Sequence, residues 1–164
     1  MNIIFTENKY PIAKTICWDD IIEKLSKEYS SSTIIWNHLL IHPPKEEDDT
    51  NKNFFSHDGS HPPTFLMIED YYPGNFEQVF NFVSEDCGVK VLHTYASFGE
   101  NSMTFKNHFD DVDVLLVQAR GSTKYRCDEQ FYTLNPGDSL FLPKGVYHEP
   151  IVIGPRITLS FSWE

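Results

Sequence analysis

The chain has 164 residues, 40% hydrophobic and 15% aromatic, enough apolar material for one folded domain and too much for a generally disordered chain. Its formal net charge is −11, so a phosphate backbone would repel it and nucleic acid is disfavoured as a partner, whereas a basic protein is not.

Three cysteines, Cys17, Cys87 and Cys127, are an odd set with no CxxC pair. That argues against a disulfide framework or a zinc knuckle, and makes a reducing cytoplasmic location the simplest expectation. Lys9 and Lys14 are not followed by an apolar segment, so no signal peptide is expected. No apolar run approaches the roughly 20 residues of a membrane span, so no membrane is expected either.

In chain order, Trp18, Ile21, Ile22, Leu25 and Tyr29 recur at helical spacing, and residues 18–29 read as an amphipathic helix. Residues 43–63 carry four prolines and an acidic run, and read as a long surface loop with Phe54 and Phe55 as its anchors. Phe76, Val79, Phe80 and Val83 form the stripe of a second helix. Asn75 is expected to cap it, Gln78 to complete a capping box and Gly88 to stop it.

Beyond Gly88 the pattern turns to β. Residues 89–98, 113–119, 124–127, 130–134, 139–142, 146–152 and 156–163 are short β-branched and aromatic runs separated by turns such as Asn135-Pro136-Gly137-Asp138. Many short strands predict a jelly-roll barrel. The expected organisation is one domain over 1–164, with a helical and loop part over 1–88 packed on barrel strands over 89–164. In the last strand Ile157, Leu159, Phe161 and Trp163 share one face, while Arg156, Thr158, Ser160 and Ser162 share the other. If the polar face lines a pocket, Arg156 is an anion ligand.

Two segments carry chemistry. In His108-Phe109-Asp110, strand alternation would put the imidazole and the carboxylate on one face, able to converge on an ion. In Asn135-Pro136-Gly137-Asp138-Ser139-Leu140-Phe141-Leu142-Pro143-Lys144-Gly145-Val146-Tyr147-His148, a turn, a short strand and a bend deliver His148. Two histidines and one carboxylate are the donor set of non-haem Fe(II) oxygenases, although manganese, cobalt, nickel or zinc would also accept it.

The segment GDSLFLPKGVYH resembles the second motif of the cupin superfamily, and HFDDVDVLLVQARG resembles the first motif of JmjC-type, cupin-like 2-oxoglutarate oxygenases. The resemblance covers roughly residues 89–163. It implies a double-stranded β-helix, mainly β with flanking helices. It implies Fe(II) held by His108, Asp110 and His148, with 2-oxoglutarate as cosubstrate. The implied reaction hydroxylates a protein side chain or a small molecule and decarboxylates the oxoacid to succinate.

One position departs from the family pattern. The cation that pairs with the far carboxylate of 2-oxoglutarate usually stands two residues after the glycine matching Gly121, where this chain has Thr123. Arg156, with Thr158 beside it, is the first substitute and Lys124 the second. Tyr95, Ser102 and Thr104 are candidate hydrogen-bond donors to the oxoacid.

Two other readings stand beside this one. A metal-dependent cupin, a dioxygenase or isomerase, could work without 2-oxoglutarate, and Thr123 is its support. A non-catalytic cupin binding module is the third. His93 reads as a hydrogen-bonded core or edge residue, and His38, His42, His57 and His61 as solvated loop residues. Barrels of this kind often pair through sheet edges or helices, which leaves a homodimer open.

Overall fold

The computed structural model describes residues 2–27, 32–36, 39–41, 62, 64–68 and 74–164. Most of the expected 43–63 loop, with Phe54 and Phe55, lies outside the described residues, as do His38, His42, His57 and His61.

The elements run β1 (Ile4–Thr6), a 3-10 turn (Pro11–Thr15), α1 (Trp18–Lys27), β2 (Ser32–Trp36), β3 (Leu39–Ile41), β4 (Thr64–Ile68) and α2 (Asn75–Cys87). The second half continues with β5 (Val91–Ser97), β6 (Val114–Arg120), β7 (Thr123–Cys127), β8 (Gln130–Leu134), β9 (Ser139–Leu142), β10 (Glu149–Val152) and β11 (Arg156–Ser162). They form an eight-stranded sheet in the order β1-β9-β6-β11-β5-β4-β2-β3 and a three-stranded sheet in the order β10-β7-β8. Every strand pair is antiparallel. Two antiparallel sheets packed face to face make the jelly roll. Among the described residues no helix is long and apolar enough to cross a membrane.

The alternation of β11 decides where the core lies. Ile157, Leu159 and Phe161 are fully buried against Ile21 of α1 and Phe76, Val79 and Val83 of α2, so the helices cover the outer face of the large sheet. On the inner face, Val114 and Leu116 of β6 and Leu140 and Leu142 of β9 meet Tyr125, Cys127 and Leu134 of the small sheet. The polar side of β11 points between the sheets, and Arg156 and Thr158 there are 1% and 0% exposed. Solvent therefore does not account for that polar face; a pocket does.

Three expectations need correction. The first 88 residues are not only helix and loop, because β1 extends the large sheet beside β9 and β4, β2 and β3 extend it beyond β5. These runs stand apart from the continuous β pattern that follows Gly88, and their partners (Thr64 opposite Ser97, for example) fix them as strands. Asn75 does not cap α2. Gly74 occupies the cap without a side-chain bond, and Asn75 Nδ2 instead donates to the Asp20 carboxylate at 3.1 Å, tying α2 to α1. Gly88 ends α2 as expected, in the left-handed region with φ 76°, its N–H donating to Ser84 at 2.7 Å. The third correction concerns His108.

Candidate metal centre

His108 does not lie on a strand. It makes an isolated antiparallel bridge with His148, and no regular strand includes residues 101–113. The segment instead follows the free edge of β10 through scattered bonds. Asn101 N–H donates to Val152 O at 3.0 Å, Thr104 Oγ1 to Pro150 O at 3.0 Å, and His108 N–H to His148 O at 3.0 Å, with the return bond at 2.7 Å. Asn101 in the left-handed region (φ 55°) and the Ser102 hydroxyl bonded to Gly99 O at 2.6 Å show the chain making local turns where a ladder would run. The convergence expected from alternation is thus achieved by one bridge.

The loop bearing His148 is built as its sequence suggests. Val146 N–H donates to Pro143 O at 3.1 Å, Gly145 has φ 81°, and Gly145 N–H donates to Asp110 O at 3.0 Å, so the two donor-bearing segments hold each other. One donor atom from each of His108, Asp110 and His148 lies within 4.8 Å of the others. His148 Nε2 is 3.5 Å from Asp110 Oδ2. Metal–ligand bonds of about 2.0–2.2 Å bring neighbouring donors to roughly 3 Å, so a small contraction around an ion suffices.

Both tautomers follow from their partners. His108 Nδ1 faces Lys106 O at 2.7 Å and His148 Nδ1 faces Val146 O at 3.0 Å. A carbonyl only accepts, so each Nδ1 carries the proton and each Nε2 presents a lone pair. Burial pushes the His148 pKa below its ordinary value, and neighbouring His108 adds to this, while the Val146 bond and Asp110 oppose it. His148 is therefore neutral near pH 7, the ligating form, and its contact with Asp110 is not an ion pair despite the short distance. Two imidazoles and a carboxylate fit a divalent ion of the iron, cobalt or manganese type.

The three donors open into a small, partly enclosed cavity between the sheets. Arg156 lines it, with Nε donating to Ser97 Oγ at 3.0 Å and its guanidinium 5.6 Å from the centre of the Tyr95 ring. Tyr125 also lines the cavity and hydrogen-bonds with Arg156 and Thr158. Burial pulls the Arg156 pKa down and pushes those of Tyr95 and Tyr125 up. The phenols stay neutral, and a guanidinium keeps its charge regardless. Among the described residues no carboxylate forms an ion pair with Arg156. A buried cation without its anion is costly unless a ligand supplies one.

The second candidate cation is corrected. Thr123, Tyr125 and Cys127 of β7 point inward, so Lys124 points out, its Nζ 4.5 Å over the Phe131 ring, and it does not line the cavity. Thr158 shares the face of Arg156, but its hydroxyl donates to Gln118 Oε1 at 2.9 Å beneath the cavity floor. Tyr95 and Thr104 line the cavity and Ser102 does not. His93 is largely buried on the inner side of β5; burial depresses its pKa, with Asp110 acting against that. Ser97, Tyr125 and Phe105 were not singled out from sequence. Phe105 lines the cavity with its ring 5.3 Å from that of His108. The alternation of β7 contained the signal for Tyr125, because any inward face there must include positions 123, 125 and 127.

A family model of the JmjC domain matches residues 75–133, a span containing His108 and Asp110. No curated protein sequence is similar. Among solved structures, the chain resembles YcfD, a ribosomal oxygenase from Escherichia coli, in complex with cobalt and 2-oxoglutarate, with a TM-score of 0.73 and 17% identity. The match covers 99% of this chain and 48% of that one. The same protein with cobalt and succinic acid matches with the same score, identity and coverage. The chain thus has the fold of the JmjC-type, cupin-like barrels, and spans about half the length of the solved proteins it matches.

Proposed function

We propose that this chain is an Fe(II)- and 2-oxoglutarate-dependent oxygenase, in which His108, Asp110 and His148 hold the metal and Arg156 holds the far carboxylate of the oxoacid. The observation that carries the reading is Arg156: a buried guanidinium, without a paired carboxylate among the described residues, lining the same cavity as the three metal donors. When bound, iron and 2-oxoglutarate would supply the oxidation, in which the oxoacid loses CO2 and takes up one oxygen atom of O2 to become succinate, while the other oxygen atom enters a C–H bond of the prime substrate.

The chain's own residues supply geometry and electrostatics. Ser97 fixes Nε of Arg156 and Tyr125 also hydrogen-bonds to the guanidinium, orienting it at the cavity, where it can meet a carboxylate. Tyr125 and Tyr95 keep the charge in a dry, polarisable surround, where it interacts more strongly than in water. The Nδ1 bonds of His108 and His148 lock the rings, so their lone pairs stay aimed while the remaining metal positions are left to ligands. Phe105, Val114 and Leu116 give the cavity an apolar wall that restricts water.

The reading without 2-oxoglutarate drew on Thr123, which stands where the family pattern has a cation. Arg156 offers the cation from β11 instead, which favours the oxoacid-dependent reading. The similarity to a ribosomal oxygenase supports a protein side chain as prime substrate, with a small molecule as the alternative.

The test is turnover of 2-oxoglutarate to succinate with Fe(II) and O2. Wild-type protein is expected to form succinate, and His148→Ala is expected to form none. Succinate formation unaffected by His148→Ala would overturn the assignment.

A further inference from the structure

The segments that carry the metal donors are thinly connected. Among the described residues, 108–110 and 145–148 are joined by three backbone hydrogen bonds: the reciprocal pair between His108 and His148, and the bond from Gly145 to Asp110. Segments with so few bonds open at low free-energy cost. A metal site, however, needs its donors held to within about half an ångström.

The bridge dictates what lies on its other side. His108 and His148 form a hydrogen-bonded antiparallel pair, so one step along Phe109 stands opposite Tyr147 in a non-hydrogen-bonded pair, where side chains come closest. Alternation turns these two away from the imidazoles. The rings do meet there, with centroids 5.1 Å apart and planes at 73°, an edge-to-face contact. Phe109 is 46% and Tyr147 48% exposed, and neither lines the cavity. Rings so exposed contribute little to the core, so the effect of their contact is concentrated on the two short segments beneath them. Phe105 does not substitute for them, since among the described residues its ring contact is with His108, on one of the two segments only.

We propose that Phe109 and Tyr147 form an external clasp that keeps the two donor-bearing segments in register, positioning His108, Asp110 and His148 without touching the ion. The inference rests on the metal reading above. It adds a pair of positioning residues on the opposite face of the chain from the site.

Two readouts test it, amide hydrogen exchange in the metal-free protein and titration with Co(II). Phe109→Ala and Tyr147→Ala are each expected to speed exchange at the His108 and His148 amides, and to weaken Co(II) binding, by about 3- to 10-fold, the factor that an aromatic pair's coupling converts to. Exchange at Val117 and Leu159, in the core strands, should not change. Tyr147→Phe keeps the ring and should retain both properties, and the double alanine variant should be no worse than either single one. Unchanged exchange and Co(II) affinity in the alanine variants, or losses that simply add, would overturn the clasp while leaving the metal reading intact. A wild-type protein that binds no Co(II), with exchange still faster in the alanine variants, would do the reverse.

Discussion

Arg156 and Lys124 make opposite predictions although both are cations of the chain's β region. Replacing Arg156 by Met removes the charge facing the cavity; replacing Lys124 by Met alters only the outer face of β7. Truncating one partner of a buried charge pair costs about 2–5 kcal/mol, so the 2-oxoglutarate KM of Arg156→Met should rise at least about 30-fold. Lys124→Met should leave it unchanged, and the reverse ranking in steady-state kinetics would transfer the role to Lys124. Because burying a cation that has no paired carboxylate among the described residues is unfavourable, the metal-free Arg156→Met protein should melt no lower than wild type. A large drop in Tm would mean that the guanidinium is structural.

The histidines give a pH dependence whose sign is fixed. Burial holds the folded pKa of both His93 and His148 below the ordinary value. The unfolded chain therefore binds protons below about pH 6.5 that the folded chain refuses. Stability of the metal-free protein should fall as pH drops through that window, down to the folded pKa values. His93→Gln should flatten part of the slope in urea titrations at pH 7 and pH 5.5; an unchanged slope would place His93 in a more solvated setting.

At the scale of elements, the β6–β7 turn positions Arg156 as much as β11 does. Gly121 has φ 62°, and a Cβ there would lie 2.0 Å from Pro155 O and 3.2 Å from Arg156 Cα. No flexible side chain can yield, since both contacts are backbone. Gly121→Ala should cost about 2–4 kcal/mol by chemical denaturation, combining left-handed strain with overpacking. A cost under about 0.5 kcal/mol would show that the turn relaxes freely. The same scale explains what the sequence displays and what it conceals. β5 to β11 are legible because they follow one another as β-branched and aromatic runs bounded by turn residues, as in Asn135-Pro136-Gly137-Asp138. β1 to β4 are not, because pairing with strands distant in the chain, as of β1 with β9, is what fixes them. The donor residues were readable by type and spacing, but not the irregular path of 101–113, which local turns at Asn101 and Ser102 impose. Thr123 stands where the family pattern has a cation; that Arg156 of β11 faces the cavity from the opposite sheet follows from three-dimensional pairing, which no local pattern records.

For the whole molecule, one strand divides two jobs. The apolar face of β11 anchors the helical layer and its polar face furnishes the cavity. Phe161, fully buried under the helices, should cost about 3–5 kcal/mol when replaced by Ala, with a corresponding shift of the urea midpoint, and should leave the Co(II) affinity of the folded fraction unchanged because it faces away from the donors. Weakened Co(II) binding by the folded fraction would show that the two faces are coupled. The cavity lies between the two sheets. The account therefore centres on whether metal and oxoacid meet there. The most direct measurement is an anaerobic titration of the metal-free protein with Fe(II) and then with 2-oxoglutarate, followed by visible absorption. The account predicts a charge-transfer band that needs both components, is lost in His148→Ala, and demands far more oxoacid in Arg156→Met. Iron binding with no band at any oxoacid concentration would contradict it.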